Sequence, residues 1–528
     1  MYLGSVRIRT STKGQHMSLS GFRQWSRITV TNYVQIAVGI TLAAIMTACG
    51  GGSSPSSEST SPTGPTPPNC NSPAIASPVL RPATAHAAAA TPQALSALSP
   101  AFFGMQVDVQ ALPGGNPPLP WPTFPFGTLR MMSTETRWSD IDQGDGNYDF
   151  TMLDQWLNIY SSHQPLNIIF VLYSTPSYIS SNPTDACVFA GNTSGHSAGS
   201  CDPPADVCSD GTGTDASFTN FVAAVAQHVQ SQSVPIKYWE VWNEPNDTTF
   251  WNGTLPQLAR MAQDAQCVIE NTNCNSLTTY PARGVISGGM MLSPPPVTSS
   301  DESNTSLNSD GGWLAAYIAA GGDQYADIID FHGYVANNSN NDNGQAEGVV
   351  GVAQSILQAL PGTGSASKQV WDTEIGFSPT IITDPYTQAS WLARAYLLQA
   401  GLGIVNVDWF EYGATNVGTL YIPGTGLNTA GEDYSVLYSW LVGATPTGPC
   451  TSSGTVWTCG FTLTGGAPAE AVWDSAQTCS NSSGSEVCTF NTTFTPGSPY
   501  TKYSDLQGDP SQAISGSIPI GIEPVWLQ

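Results

Sequence analysis

Between residues 98 and 443 short apolar runs alternate with amphipathic stretches, and this alternation leaves few architectures open to the chain. The apolar runs are Phe102–Val107, Thr128–Met132, Leu166–Tyr173, Ile236–Trp242, Gly284–Met290, Ala326–Phe331, Gln369–Thr373 and Ile404–Phe410, rich in Val, Ile, Phe and Trp. Helix-like stretches separate them at Phe150–Ser161, Ala216–Gln232, Leu255–Glu270, Gly312–Ala320, Glu347–Leu360 and Thr387–Gln399, and Tyr434–Val442 closes the series. Several open at capping residues, such as Asp215 ahead of its apolar stripe. Strand signals alternating with helices call for parallel βα units. The length suits an α/β fold of the (β/α)8 TIM-barrel type with enlarged loops. Its weak point is the first crossover, because Gly114–Pro125 is Pro-rich and shows no helix. The rival, a doubly wound open sheet, lacks a Gly-rich phosphate turn after the first strand. Past Pro446 short alternating runs separated by Gly, Ser and Pro read as a small all-β sandwich over 444–528, so the barrel is assigned to 98–443.

Charge narrows the partners. The chain has 14 Lys+Arg against 39 Asp+Glu, a formal net charge of −25. Five of the basic residues (Arg7, Arg9, Lys13, Arg23, Arg27) precede Cys49, where no acid occurs. So few cations argue against nucleic acid and against electrostatic binding to anionic lipid. Residues 1–48 read as a lipoprotein-type signal peptide, with Arg23 and Arg27 ahead of an apolar run from Val34 to Ala48; Met17 is an alternative start. The competing reading is a tilted, uncleaved membrane anchor. Ile45-Met46-Thr47-Ala48-Cys49 resembles a bacterial lipoprotein cleavage box, with Met46 where Leu is usual. Residues 49–97 then form a Ser/Pro/Thr-rich tether that buries too little to order itself. The expectation is an exported protein, lipid-anchored to a bacterial membrane through Cys49 and otherwise periplasmic or secreted.

Ten cysteines remain beyond Cys49, an even number that fits an oxidising compartment. Their spacings give Cys267–Cys274, Cys450–Cys459, Cys479–Cys488, Cys187–Cys201 and Cys70–Cys208 as the expected pairs. A zinc site at Cys187, Cys201 and Cys208 with His196 is the alternative, though these spacings match no standard finger.

Two strands end in a glutamate, and here the chemistry concentrates. The fourth run reads Tyr238-Trp239-Glu240-Val241-Trp242-Asn243-Glu244-Pro245-Asn246, and the seventh Val370-Trp371-Asp372-Thr373-Glu374-Ile375-Gly376. In a barrel both ends face the mouth that carries the active site. Two carboxylates facing one another there can act as acid/base and nucleophile in glycoside cleavage. A single loop glutamate is ordinarily just a solvated acid; the joint placement among aromatics is what singles out Glu244 and Glu374. Even offsets point Glu240 and Asp372 the same way as the pair but deeper, while Glu411 ends the eighth strand.

Trp242-Asn243-Glu244-Pro245-Asn246, Thr373-Glu374 with Gly376, and Phe331-His332-Gly333-Tyr334 resemble the clan A glycoside hydrolases, closest to glycoside hydrolase family 39. The resemblance covers most of residues 98–528. It implies a retaining β-glycosidase with Glu244 as general acid/base and Glu374 as nucleophile. It implies Asn243 for the sugar 2-hydroxyl, Arg130 as the cation that keeps the nucleophile ionised, and Tyr334 and His332 as supporting groups. Trp409 resembles the ring beneath the sugar at the cleavage point, and Trp138 and Tyr178 are further candidate platforms. No cofactor and no metal are implied, the partner is a carbohydrate substrate, and the protein is expected to work as a monomer. A non-catalytic surface carbohydrate-binding protein on the same scaffold is the alternative. A metal-dependent hydrolase lacks any His/carboxylate cluster at ligand spacing along the sequence.

Overall fold

The computed structural model describes residues 6–9 and 95–528, except 133, 164–165, 189–196, 233, 282–283, 285–288, 293–309, 336–344, 361–366, 414–416 and 483–484. The signal peptide and tether therefore lie almost wholly outside the described residues. Within them the alternation becomes a closed barrel of eight parallel strands. These are β1 (Phe103–Gln106), β2 (Thr128–Met131), β3 (Asn167–Leu172), β4 (Tyr238–Val241), β5 (Gly289–Leu292), β6 (Ile328–His332), β7 (Gln369–Ile375) and β8 (Val407–Trp409). The register closes through β8 on β1, with Val407 opposite Phe103 and Trp409 opposite Met105.

Among the described residues seven helices of ten or more residues surround the strands, besides a single turn at Trp138–Ile141: α1 (Thr151–Ser161), α2 (Ala216–Ser231), α3 (Leu255–Glu270), α4 (Asp310–Ala319), α5 (Gly348–Ala359), α6 (Pro385–Leu402) and α7 (Thr429–Leu441). The β1–β2 crossover holds only a 3-10 turn at Val109–Ala111, as its prolines dictate. Helix α3 starts on a capping box in which Thr254 and Gln257 satisfy each other's backbone N–H. Helix α6 opens with Pro385 behind Asp384, which accepts from the Thr387 amide, and stops at Gly403 in a left-handed conformation. Asp215, the expected cap of α2, sits at φ 46° and makes no capping bond. Asp206 caps that helix instead, reaching from the preceding loop to accept from Ser217 N at 3.0 Å.

Beyond α7 the chain is all β. Its main sheet runs from Thr445–Pro446 through Val456–Thr462, Pro468–Asp474 and Val525–Leu527 to Lys502–Ser504 and Gln512–Ala513. Strand alternation splits this sheet between two cores. Ala469, Ala471, Trp473 and Trp526 join the barrel core, while Val472, Val525 and Leu527 pack with Ile518 and Ile520. The junction is built of rings and one anion: Trp440 stacks on Trp526 at 5.5 Å, and Glu347 accepts from Trp473 Nε1 at 2.7 Å and from Arg394 Nε at 2.9 Å. The disulfides Cys187–Cys201, Cys267–Cys274, Cys450–Cys459 and Cys479–Cys488 form as expected. Cys208 is disulfide-bonded too, and its expected partner, Cys70, lies outside the described residues.

Candidate active site

The strand ends at one mouth of the barrel bring Arg130, Glu240, Asn243, Glu244, His332, Tyr334 and Glu374 together. Directly after β4 the backbone turns sharply, with Trp242 at φ 73° and Glu244 at φ 41°. Such left-handed conformations cost a non-glycine residue and persist only when the surroundings enforce them. Trp242 N donates to Leu172 O at 3.0 Å and its indole N–H to Phe250 O at 2.7 Å, which fixes the turn at both ends.

Arg130, on β2 and fully buried, organises the interior. Its Nε donates to Glu240 Oε2 at 2.8 Å and its Nη2 pairs with Glu240 Oε1. Nη1 donates to Glu374 Oε2 at 2.7 Å, and Nη2 to Asn243 Oδ1 at 2.8 Å. Tyr334 OH donates to Glu374 Oε1 at 2.7 Å and Gln106 Nε2 to Oε2 at 3.3 Å. His332 Nδ1 lies 2.8 Å from Glu244 Oε1 and 3.6 Å from Glu374 Oε2. One carboxylate oxygen from each glutamate and a His332 ring nitrogen all fall within 4.8 Å of one another.

The two carboxyls are driven apart electrostatically. Burial pushes Glu244 up; the hydrogen bond and charge of His332 oppose this, and the Glu374 charge adds to it. Burial would raise Glu374 as well, but His332, Arg130, Tyr334 and Gln106 together hold it below the usual glutamate value. Desolvation thus contributes more to Glu244 than the neighbouring charge does. Burial lowers His332, yet Glu374 and Glu244 raise it overall. Deeper in the barrel burial lifts Asp372 to about 7. At the end of β8 burial, Asp108 and Glu374 lift Glu411 to about 8, and its Oε2 is buried without a hydrogen-bond partner.

The aromatic expectations fare unevenly. Trp138 is fully buried, stacked on Phe221 at 5.4 Å with its N–H on Asp142, so it is a core ring and no sugar platform. Trp409 is also fully buried, its ring 6.0 Å from Phe377, and as placed it offers no open face. Tyr178 is exposed, with its hydroxyl tied to Asp142 Oδ1 at 2.6 Å. Gln106 was not foreseen: a lone amide at a strand end belongs to no motif, and only the register of β1 places it on Glu374.

A His/carboxylate group does exist in space, contrary to the sequence expectation, because residues far apart in the chain meet at the strand ends. Its chemistry does not suit a cation. Both Glu374 oxygens already accept hydrogen bonds, one of them from a guanidinium, and His332 Nδ1 is engaged with Glu244. The second such group among the described residues, Asp185, Cys187, Cys201 and Asp202, has both sulfurs committed to a disulfide, which excludes the zinc alternative there.

No protein-family model matches the sequence, and no curated protein does. Solved structures do resemble it. A family 39 glycoside hydrolase from the gut symbiont Bacteroides cellulosilyticus WH2 is 18% identical with a TM-score of 0.50, covering 76% of this chain and 75% of its own. An endo-β1,6-glucanase is 11% identical with a TM-score of 0.50, covering 83% of this chain and 91% of its own. The fold is shared. At these identities the likeness carries the barrel architecture and nothing finer.

Proposed function

We propose that the protein is a retaining glycoside hydrolase that cleaves β-glycosidic bonds in a polysaccharide or oligosaccharide, akin to family 39. The observation that carries this reading is the meeting of Glu244 and Glu374 carboxylate oxygens within 4.8 Å, with their proton affinities pushed in opposite directions. That approach supports direct attack by one carboxylate, for which the carboxyls stand at ~5–5.5 Å, over an inverting pair at ~6.5–9.5 Å.

In the first step Glu374, ionised beside Arg130, attacks the anomeric carbon. The Glu244–His332 pair holds a proton that Glu244 delivers to the departing glycosidic oxygen. The glycosyl ester on Glu374 is neutral, so its charge no longer raises Glu244. Glu244 then takes a proton from water as that water attacks the anomeric carbon from the opposite face. The bond between that carbon and Glu374 breaks, the carboxylate is returned, and the sugar leaves with its configuration retained. Asn243 directs its Oδ1 to Arg130 and leaves Nδ2 buried without a partner, placed for a substrate 2-hydroxyl. Tyr178 is the remaining candidate platform of the original three.

The small Lys/Arg inventory favours a neutral β-linked glycan over a strongly anionic polymer. The β region acts as a buttress for the barrel, because the two share one core. Four disulfides support export, and no helix among the described residues is long and apolar enough to cross a membrane. A lipid on Cys49 is the proposed anchor. The test is a screen of aryl β-glycosides and β-glycans with product anomers followed by NMR. The β-anomer should appear first, whereas the α-anomer first, or no hydrolysis of any glycan, would overturn the reading.

A further inference from the structure

The loop after β3 is pinned to the loop that carries Glu244, and the pin is the Cys187–Cys201 disulfide. Cys201 O accepts the backbone N–H of Asn252 at 2.7 Å. The Asn252 amide donates to Asp185 Oδ2 at 3.1 Å and lies 3.3 Å from Cys201 Sγ. Asp185 in turn accepts from Cys187 N at 3.0 Å, so Cys201 and Asp185 grip Asn252 directly while Cys187 holds both of them, Asp185 by this bond and Cys201 by the disulfide. Cys187 and Cys201 are buried, and Thr175, three residues past β3, anchors the stapled loop through Ser200 O and Asp202 O.

Asn252 ends the segment that starts at Trp242. From Glu244 the chain runs through Asp247, whose amide donates to Glu244 O at 3.0 Å, to Phe250 and Trp251, both of whose amides donate to Asp247 O at 2.9 Å. Trp251 lies 4.8 Å from Trp242, and Phe250 O holds the Trp242 indole. Two left-handed residues, Trp242 and Glu244, sit inside this closed segment. Its near end is fixed by β4, and its far end is held at Asn252 by the stapled loop. A backbone held in a costly conformation relaxes when one of its restraints is removed.

We propose that the Cys187–Cys201 disulfide and Asn252 are a positioning device for the Glu244 carboxyl, so that the staple sets the efficiency of proton donation to the leaving group. This rests on Glu244 being the general acid. An acid displaced by an ångström still leaves Glu374 free to attack, so the defect appears only where the departing oxygen needs a proton.

The test compares kcat/KM of the full chain and of the Cys187→Ser/Cys201→Ser double variant on a phenyl and a dinitrophenyl β-glycoside of the same sugar. The phenyl substrate is expected to lose about tenfold or more while the dinitrophenyl substrate changes little, with the basic limb of the pH profile displaced. The Cys267→Ser/Cys274→Ser variant, which opens a disulfide at the C-terminal end of α3, should show no such selectivity. Should the first variant not fold, Asn252→Ala decides by the same comparison. Equal losses on both substrates, or none on either, would overturn the proposal. If Glu244→Gln itself shows no dependence on the leaving group, the underlying assignment of the acid fails instead.

Discussion

Nη1 of Arg130 lies 2.7 Å from Oε2 of Glu374, and this contact ties the charge state of the proposed nucleophile to a guanidinium with no solvent exposure. The same guanidinium neutralises Glu240, which is equally buried. Arg130→Ala therefore strands a buried anion and should cost about 3–5 kcal/mol in chemical unfolding. Arg130→Lys keeps one charge but cannot span Glu240, Glu374 and Asn243 at once. It should stay folded and show the acid limb of its activity profile moved to higher pH, as Glu374 loses stabilisation of its ionised form.

Activity needs Glu244 protonated and Glu374 ionised. Since Glu374 is held below the ordinary glutamate value and Glu244 pushed above it, kcat/KM should trace a bell against pH. The acid limb reports Glu374 and the basic limb Glu244. Glu244→Gln should erase the basic limb and leave the acid limb in place, measured on a substrate with an activated leaving group.

Tyr334→Phe removes one hydrogen bond to Glu374 Oε1 while keeping the ring. A hydrogen bond to a charged group is worth roughly 1.5–3 kcal/mol, so Glu374 should titrate higher and kcat should fall by about tenfold to a hundredfold. Steady-state kinetics across pH would show both changes; a variant with unaltered kcat would remove Tyr334 from the reaction.

Stability should decline as pH rises through neutrality. Asp372 is lifted to about 7 and Glu411 to about 8, against ~3.9 and ~4.3 for the unfolded chain. A carboxyl that binds its proton more tightly when folded contributes fully below its unfolded value and loses that contribution as pH climbs to the folded one. Self-repulsion of a chain with net charge −25 acts in the same direction. Thermal unfolding should give a lower Tm at about pH 8 than at about pH 5, and Glu411→Gln should flatten the difference.

The strand and helix order was legible because buried parallel strands read as continuous apolar runs, and helix α3 matches its expected bounds, Leu255–Glu270. The fifth strand, described over Gly289–Leu292, extends past the end of its apolar run at Met290, since apolar residues in sequence do not say where pairing stops. Glu244 and Glu374 stand out in the sequence through their strand-end positions, and Arg130 only through the family resemblance. Trp138 and Trp409 misled because a large ring carries no sign of whether it faces a core or a cleft. The grip of Glu240 on Arg130 was only half foreseen: alternation aimed Glu240 inward, but its partner came from barrel register. Asp206 as the cap of α2 had no local signal at all, being supplied from a distant part of the preceding loop.

Glu374→Gly assayed with sodium azide tests the central assignment most directly. The variant should lose about four or more orders of magnitude in kcat on an aryl β-glycoside, within the range that removing a reacting group costs. Added azide should restore turnover and yield the α-glycosyl azide, because the small anion attacks from the face that Glu374 occupied. Hydrolysis undiminished in Glu374→Gly, or a β-glycosyl azide as the rescued product, would contradict the assignment.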